Sequence, residues 1–94
     1  MSRLGNQSHY KPGDSQTVAY TGTAGTSTAI GAYTNVVRVL CTTAAFVRFG
    51  GTATTAYMYM PAGVAEYFTI NGGDTISAIQ SASGGNLHIT EMTQ

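Results

Sequence analysis

Charged side chains are scarce in this sequence. Asp, Glu, Lys and Arg make up 9% of the 94 residues, against about 25% in an average soluble domain. The four basic and four acidic residues cancel to a formal net charge of zero. So few basic groups argue against nucleic-acid binding, which depends on neutralising phosphates. A near-neutral surface offers little repulsion between copies, which favours a subunit of an assembly over a free monomer.

Disulfides and membrane-spanning segments are also missing. Cys41 is the single cysteine, so no intramolecular disulfide can form, and its place in an apolar run predicts a small buried side chain. No stretch approaches the roughly 20 apolar residues of a membrane-spanning helix. Residues 1–13 have no apolar segment typical of a signal peptide. We therefore expect no membrane partner and a chain made in a reducing cytoplasm.

Side chains for acid–base, nucleophilic or metal chemistry are few and have no motif spacing. His9 and His88 are the two histidines, and a metal site needs three or four ligands. Glu66 is better explained as a cross-strand partner of Arg38 or Arg48. No serine lies in Gly-x-Ser-x-Gly, and no glycine-rich segment has the lysine of a phosphate loop. We predict no catalytic residue, no metal and no cofactor, and hence no enzyme.

Short β-strand patterns separated by turns fill the rest of the sequence. Threonine, which favours strands, is abundant, and 12 glycines supply turns. The turns come about every 8–12 residues, and no window shows a helical period. This pattern predicts an all-β fold: a small antiparallel β-sandwich, jelly-roll-like, of about six to eight strands. Strands are expected over residues 17–20, 35–42, 44–49, 57–60, 65–70, 75–80 and 87–92.

Three local patterns carry specific expectations. Alternation in the second of these strands places Val37, Val39 and Cys41 on one face. Pro61 is expected to end the strand over residues 57–60, because proline cannot donate to a ladder. The Asn-Gly pair within residues 71–74 is a strong signal for a β-hairpin.

The polar N-terminus differs from the rest of the chain. We divide the sequence into an extended arm, residues 1–16, and a single β-sandwich domain, residues 17–94. The arm is either a frayed terminus or a segment that lies on a neighbouring subunit. In the second case Leu4 and Tyr10 are its apolar anchors.

Aromatic and thioether side chains concentrate in residues 57–68. One interpretation is that the methionines fill the core and the tyrosines edge it. The other is an interface, because Tyr and Met are enriched and charge is depleted at buried interface centres. If Met58 and Met60 point inward, Tyr57 and Tyr59 face outward, where a partner could cover them. The predicted interface residues are Leu4, Tyr10, Arg38, Tyr57, Tyr59 and Tyr67.

The order of sequence blocks over residues 35–94 resembles small proteins encoded among the structural genes of tailed phages and prophages. The blocks contain no catalytic signature. They are Val37-Arg38-Val39, Val47-Arg48-Phe49-Gly50, Met58-Tyr59-Met60-Pro61-Ala62-Gly63, Glu66-Tyr67-Phe68-Thr69-Ile70, Gly73-Asp74-Thr75-Ile76-Ser77-Ala78-Ile79-Gln80 and Gly84-Gly85-Asn86-Leu87-His88-Ile89-Thr90-Glu91-Met92-Thr93.

This resemblance implies a virion protein such as a head decoration, or cement, protein. We accordingly expect a chain made in the host cytoplasm that binds the capsid exterior and stabilises it by protein–protein contacts. The expected partners are the major capsid protein or other virion subunits, and copies of the chain itself as a homo-oligomer, with a trimer favoured. The alternatives are a tail, connector or fibre-associated subunit, and a carbohydrate-binding module that stacks sugars on Tyr57 and Tyr59.

Overall fold

Short runs of β-branched and aromatic residues form strands throughout the computed structural model, which describes residues 10–93. No helix long and apolar enough to cross a membrane is present in this part of the chain. Its eight strands are β1 (Lys11–Tyr20), β2 (Gly25–Thr26), β3 (Val36–Cys41), β4 (Ala45–Phe49), β5 (Met58–Met60), β6 (Glu66–Thr69), β7 (Ile76–Gln80) and β8 (Gly85–Thr93).

The strands form two antiparallel sheets of four strands each. The first sheet has the order β1-β8-β3-β6, and the second has the order β2-β7-β4-β5. The chain changes sheet at every connection except the one from β4 to β5. This strand order is that of a jelly roll, a double sheet of eight strands. The predicted all-β antiparallel sandwich is confirmed.

Alternate side chains meet between the two sheets. Val37, Val39 and Cys41 of β3 are fully buried there, as their shared face predicted. Leu87 and Ile89 of β8 point into the same interior. Burial of this apolar surface is the main source of stability. The remaining core members are Tyr20, Ile30, Ala45, Val47, Met60, Ile70, Ile76 and Ala78.

The turn over residues 71–74 does not form the predicted hairpin. It joins β6 of the first sheet to β7 of the second. The N–H of Asp74 donates to the carbonyl of Asn71 over 3.1 Å, and Gly73 has φ of +91°, as the third residue of a type II turn requires. A Cβ at Gly72 would lie 2.0 Å from the Ala32 carbonyl oxygen. The two glycines therefore allow a tight crossing between sheets rather than a strand reversal.

The boundary expected between residues 16 and 17 falls inside β1. Residues 11–16 are part of the first sheet, where Lys11 pairs with Thr93 and Gln16 with Ile89. The register shifts between Pro12 and Ser15, and the first five residues of β1 are exposed. The rest of the predicted arm, residues 1–9 with Leu4, lies outside the described residues.

Candidate interaction surface

Exposed apolar side chains concentrate in one segment of the described chain. Of six exposed large hydrophobic residues, only Tyr33 lies outside residues 57–67. Glu66 is the one charged residue in that segment. We call it the β5–β6 surface. Its exposed side chains are Tyr57, Met58, Tyr59, Val64 and Tyr67.

The position of β5 and β6 in the fold explains this exposure. β5 is the last strand of the second sheet, and β6 is the last strand of the first. They are three and four residues long, and in the described part of the chain no further strand pairs with either of them on its outer side. A tyrosine or methionine here packs on one neighbour at most and leaves the rest of its surface to solvent.

The alternation in β5 places its methionines toward the core and its tyrosine outward. Met60 is fully buried opposite Ala45, whereas Met58, on the same face, is 39% exposed because it lies at the open edge. Tyr59 is 54% exposed, and its ring packs edge-on against Phe46 at 5.6 Å between centroids. β5 ends at Met60, directly before Pro61, as predicted.

Tyr57, which precedes β5, lies under a guanidinium group. The Arg48 Cζ atom is 4.5 Å from the centre of the Tyr57 ring. The Nη1 atom of the same arginine donates to the Thr52 carbonyl over 3.3 Å. A cation held in this way on an aromatic face is a favourable contact. Arg48 thus fixes Tyr57 against the second sheet.

A groove opens between the sheets on this side. It has a volume of about 660 Å³. Phe49 and Phe68 meet edge to face in it, 5.2 Å apart. We call it the inter-sheet groove. Its lining residues are Val47, Arg48, Phe49, Tyr57, Met58, Phe68, Thr69, Ile70, Asn71 and Asp74.

A second groove lies on the outer face of the first sheet. It has a volume of about 530 Å³ and is lined by Tyr10, Val36, Tyr67 and Met92. Val36 and Met92 are register partners in β3 and β8. We call it the outer groove. Because Phe68 lines one groove and Tyr67 the other, β6 separates the two.

The predicted interface residues divide between two places. Tyr10 and Tyr67 meet at the outer groove, and Arg38 is the register partner of Tyr67. Tyr57 and Tyr59 lie at the edge of the second sheet. Leu4 falls outside the described residues.

The expected pairing of Glu66 with Arg38 or Arg48 is wrong: the register sets Glu66 opposite Val39, and Arg48 lies in the other sheet. The inter-sheet groove was not predicted either, since its lining residues are far apart in the sequence. The one sequence signal near this groove was the run of alternating tyrosines and methionines that contains Tyr57 and Met58.

Two titratable groups away from this surface, His88 and Cys41, contact neighbouring strands of the fold. The side chains of Thr17 and His88 are hydrogen bonded over 3.2 Å between β1 and β8. Burial raises the pKa of the Cys41 thiol, although a hydrogen bond with Tyr20 acts in the opposite direction. Within residues 10–93 no group of three His, Cys, Asp or Glu residues is placed to hold a metal ion.

Comparisons with known proteins identified no relative of this chain. The chain matches no protein-family model, and neither the search of curated proteins nor that of solved structures found a significant match.

Proposed function

We propose that this protein is a structural subunit that binds neighbouring protein subunits through its β5–β6 surface. The observation that carries the proposal is the concentration of exposed aromatic, thioether and branched side chains in residues 57–67, with a single charge among them. Interface centres have this composition. An aromatic side chain can also bury a large area at little cost in side-chain entropy.

The resemblance to small tailed-phage proteins supplies the setting. On the basis of this resemblance, we propose a capsid decoration protein that binds the head exterior. Its partner would be the major capsid protein, and a homotrimer is the favoured oligomeric state. The zero net charge supports repeated packing of copies side by side. Jelly rolls occur in viral capsid proteins and in lectins alike, so the fold agrees with this function without selecting it.

The first test is binding to particles. Heads lacking the protein are mixed with the purified chain or with Tyr59→Ala or Tyr67→Ala, and bound protein is quantified after sedimentation. We expect each variant to bind about tenfold more weakly, the effect of losing an interface anchor worth more than 1 kcal/mol. Tyr33→Ala is the matched control, because this exposed tyrosine lies outside the β5–β6 surface. Binding unaffected by the first two changes would contradict the proposal.

Copy number separates the virion alternatives. Hundreds of copies on each particle indicate decoration, whereas a few dozen or fewer indicate a tail, connector or fibre-associated subunit. Quantitative mass spectrometry of purified particles measures this ratio.

The geometry favours protein contact over sugar stacking. One face of the Tyr57 ring is occupied by Arg48, and Tyr59 packs against Phe46. Each ring therefore has part of its surface already in contact with the chain's own side chains. A glycan array probed with the full chain tests the alternative, and strong binding that Tyr59→Ala abolishes would favour the carbohydrate-binding module.

A further inference from the structure

We infer that β6 is the attachment site for an extended, uncharged, apolar segment of a partner protein, which adds to the first sheet as a fifth strand. This inference rests on the proposed function only for the identity of the partner. It is carried by the hydrogen-bonding direction of β6, by the absence of proline, lysine or a register shift from this strand, and by the apolar surface on the two faces of the sheet beside it.

The direction of the β6 backbone groups follows from its pairing. The Ile70 N–H donates to the Asn35 carbonyl over 3.0 Å, which marks these residues as a hydrogen-bonded pair. Bonded and non-bonded pairs alternate in antiparallel sheets. Phe68 and Glu66 therefore bond to β3, while Tyr67 and Thr69 direct their N–H and C=O groups to the open edge.

The opposite side of β3 gives the same alternation. The Thr42 N–H donates to the Asn86 carbonyl over 3.0 Å. Even-numbered residues of β3 thus bond to β8, and odd-numbered residues bond to β6, in the observed register. Among residues 10–93, two donors and two acceptors of β6 have no backbone partner and are left for an added strand.

The other edge strands carry more protection against pairing than β6 does. β1 contains Lys11 and Pro12 and has a register shift, and β2 has two residues. β5 has three residues and is followed by Pro61. Proline, lysine, bulges and short length are the devices that keep sheet edges from pairing with other chains. β6 is also short, with four residues, and contains Glu66, but it has no proline, lysine or register shift.

The grooves on either side of β6 define the occupant. Successive side chains of an added strand point to opposite faces of the sheet. One set would reach the inter-sheet groove beside Met58 and Phe68, and the other would point to the outer face of the sheet beside Tyr67, which forms the near wall of the outer groove. Both linings are mainly apolar, and Arg48 and Asp74 at the inter-sheet groove balance each other in charge. A neutral segment with apolar residues at successive positions fits this edge.

A second copy of β6 fits less well. Its Phe68 is packed against its own core and cannot enter the groove of the first copy. Pairing of two β6 strands would leave the inter-sheet grooves without side chains to fill them. An extended segment that belongs to no sheet of its own can direct its alternate side chains to both faces of the sheet beside β6.

The test is a selection of displayed random peptides, about seven residues long to span a strand of this size, on the immobilised full chain. We expect enriched peptides with apolar residues at neighbouring positions and no central proline. Hydrogen exchange of the chain with the leading synthetic peptide should show slowed exchange at the amides of Tyr67 and Thr69. Absence of enrichment, or unchanged exchange at both amides, would overturn the inference.

Two matched proline variants identify the edge. Thr69→Pro removes an outward N–H without touching the ladder to β3, a position where edge strands accept proline. Thr17→Pro makes the same change at the exposed opposite edge of the same sheet and also removes the side-chain bond to His88. Once circular dichroism shows both variants folded, we expect peptide binding to weaken about tenfold or more for Thr69→Pro. Thr17→Pro should bind as the parent does, and equal effects would count against the inference.

The outcomes separate this inference from the proposed function. If Thr69→Pro still binds particles like the parent, β6 is not the attachment site, although the virion role stands. If the unmodified chain does not bind particles, but its peptide binding is lost in Thr69→Pro, the virion role fails and β6 remains an attachment site. Concentration-dependent protection of the Tyr67 and Thr69 amides without peptide would assign the edge to a second copy and overturn the inference.

Discussion

At the scale of single residues, the titratable side chains hold neighbouring segments together. Glu91 accepts hydrogen bonds from the Thr34 hydroxyl and the Gly31 N–H, and so fixes the loop that precedes β3. Tyr20 is buried, and its hydroxyl donates to the Thr43 carbonyl over 2.6 Å. The tyrosines of the β5–β6 surface differ from Tyr20, because each keeps at least 41% of its surface exposed.

The thiol of Cys41 makes stability depend on pH. It is fully buried, as its apolar sequence neighbours predicted, and burial raises its pKa in the folded state. The folded chain therefore holds the thiol proton at a pH where the unfolded chain releases it. Above about pH 8.5, the ordinary thiol pKa, we expect the free energy of unfolding to fall, by at most about 1.4 kcal/mol per pH unit.

Urea unfolding between about pH 7 and pH 10 measures this dependence. The control is Cys41→Ala, which has no thiol and should lose stability less steeply over the alkaline range. Parallel curves for the two chains would show that the thiol does not contribute.

At the scale of strands and turns, the local sequence pattern predicted where most strands lie and where they end. Alternation in β3 predicted the correct buried face, Met60 of β5 is buried as expected, and Pro61 ends its strand. The sequence over residues 71–74 predicted the turn but not the strands that it joins, because partner choice depends on which sheet each strand enters. The predicted cross-strand pairing of Glu66 with Arg38 or Arg48 was wrong for the same reason, since register is set by contacts distant in sequence.

Ser77 shows how a polar residue ties loops to a strand. It is fully buried in β7, and its hydroxyl accepts from the Ala53 N–H over 2.9 Å and donates to the Gly25 carbonyl over 3.0 Å. Ser77→Ala would leave both groups without their partner. We expect a loss of about 2 kcal/mol in the free energy of unfolding, since each unsatisfied buried group costs about 1–3 kcal/mol.

Chemical denaturation of both chains measures the loss. Ser81→Ala is the matched control, because Ser81 is exposed in a turn and its substitution should change stability by less than about 0.5 kcal/mol. Equal effects of the two changes would mean that the hydroxyl of Ser77 has no special role.

At the scale of the whole molecule, a small jelly roll leaves one side open. The sheets cover each other's inner faces, but the short strands β5 and β6 cannot close the sandwich at their edge. Composition and alternation predicted the fold class and the outward tyrosines. The grooves beside β6 could not be predicted, because they form only when residues of β4, β5, β6 and the following turn come together.

The central claim is that the β5–β6 surface is covered by protein in the assembled state. Hydroxyl-radical footprinting of the free chain and of purified particles measures this directly, with mass-spectrometric readout at each methionine and tyrosine. Met58 is 39% exposed in the free chain, and Met60, two residues on, is fully buried and serves as the internal control. We predict that Met58, Tyr59 and Tyr67 are oxidised in the free chain and protected in particles. Oxidation at the same rate in both states would contradict the account.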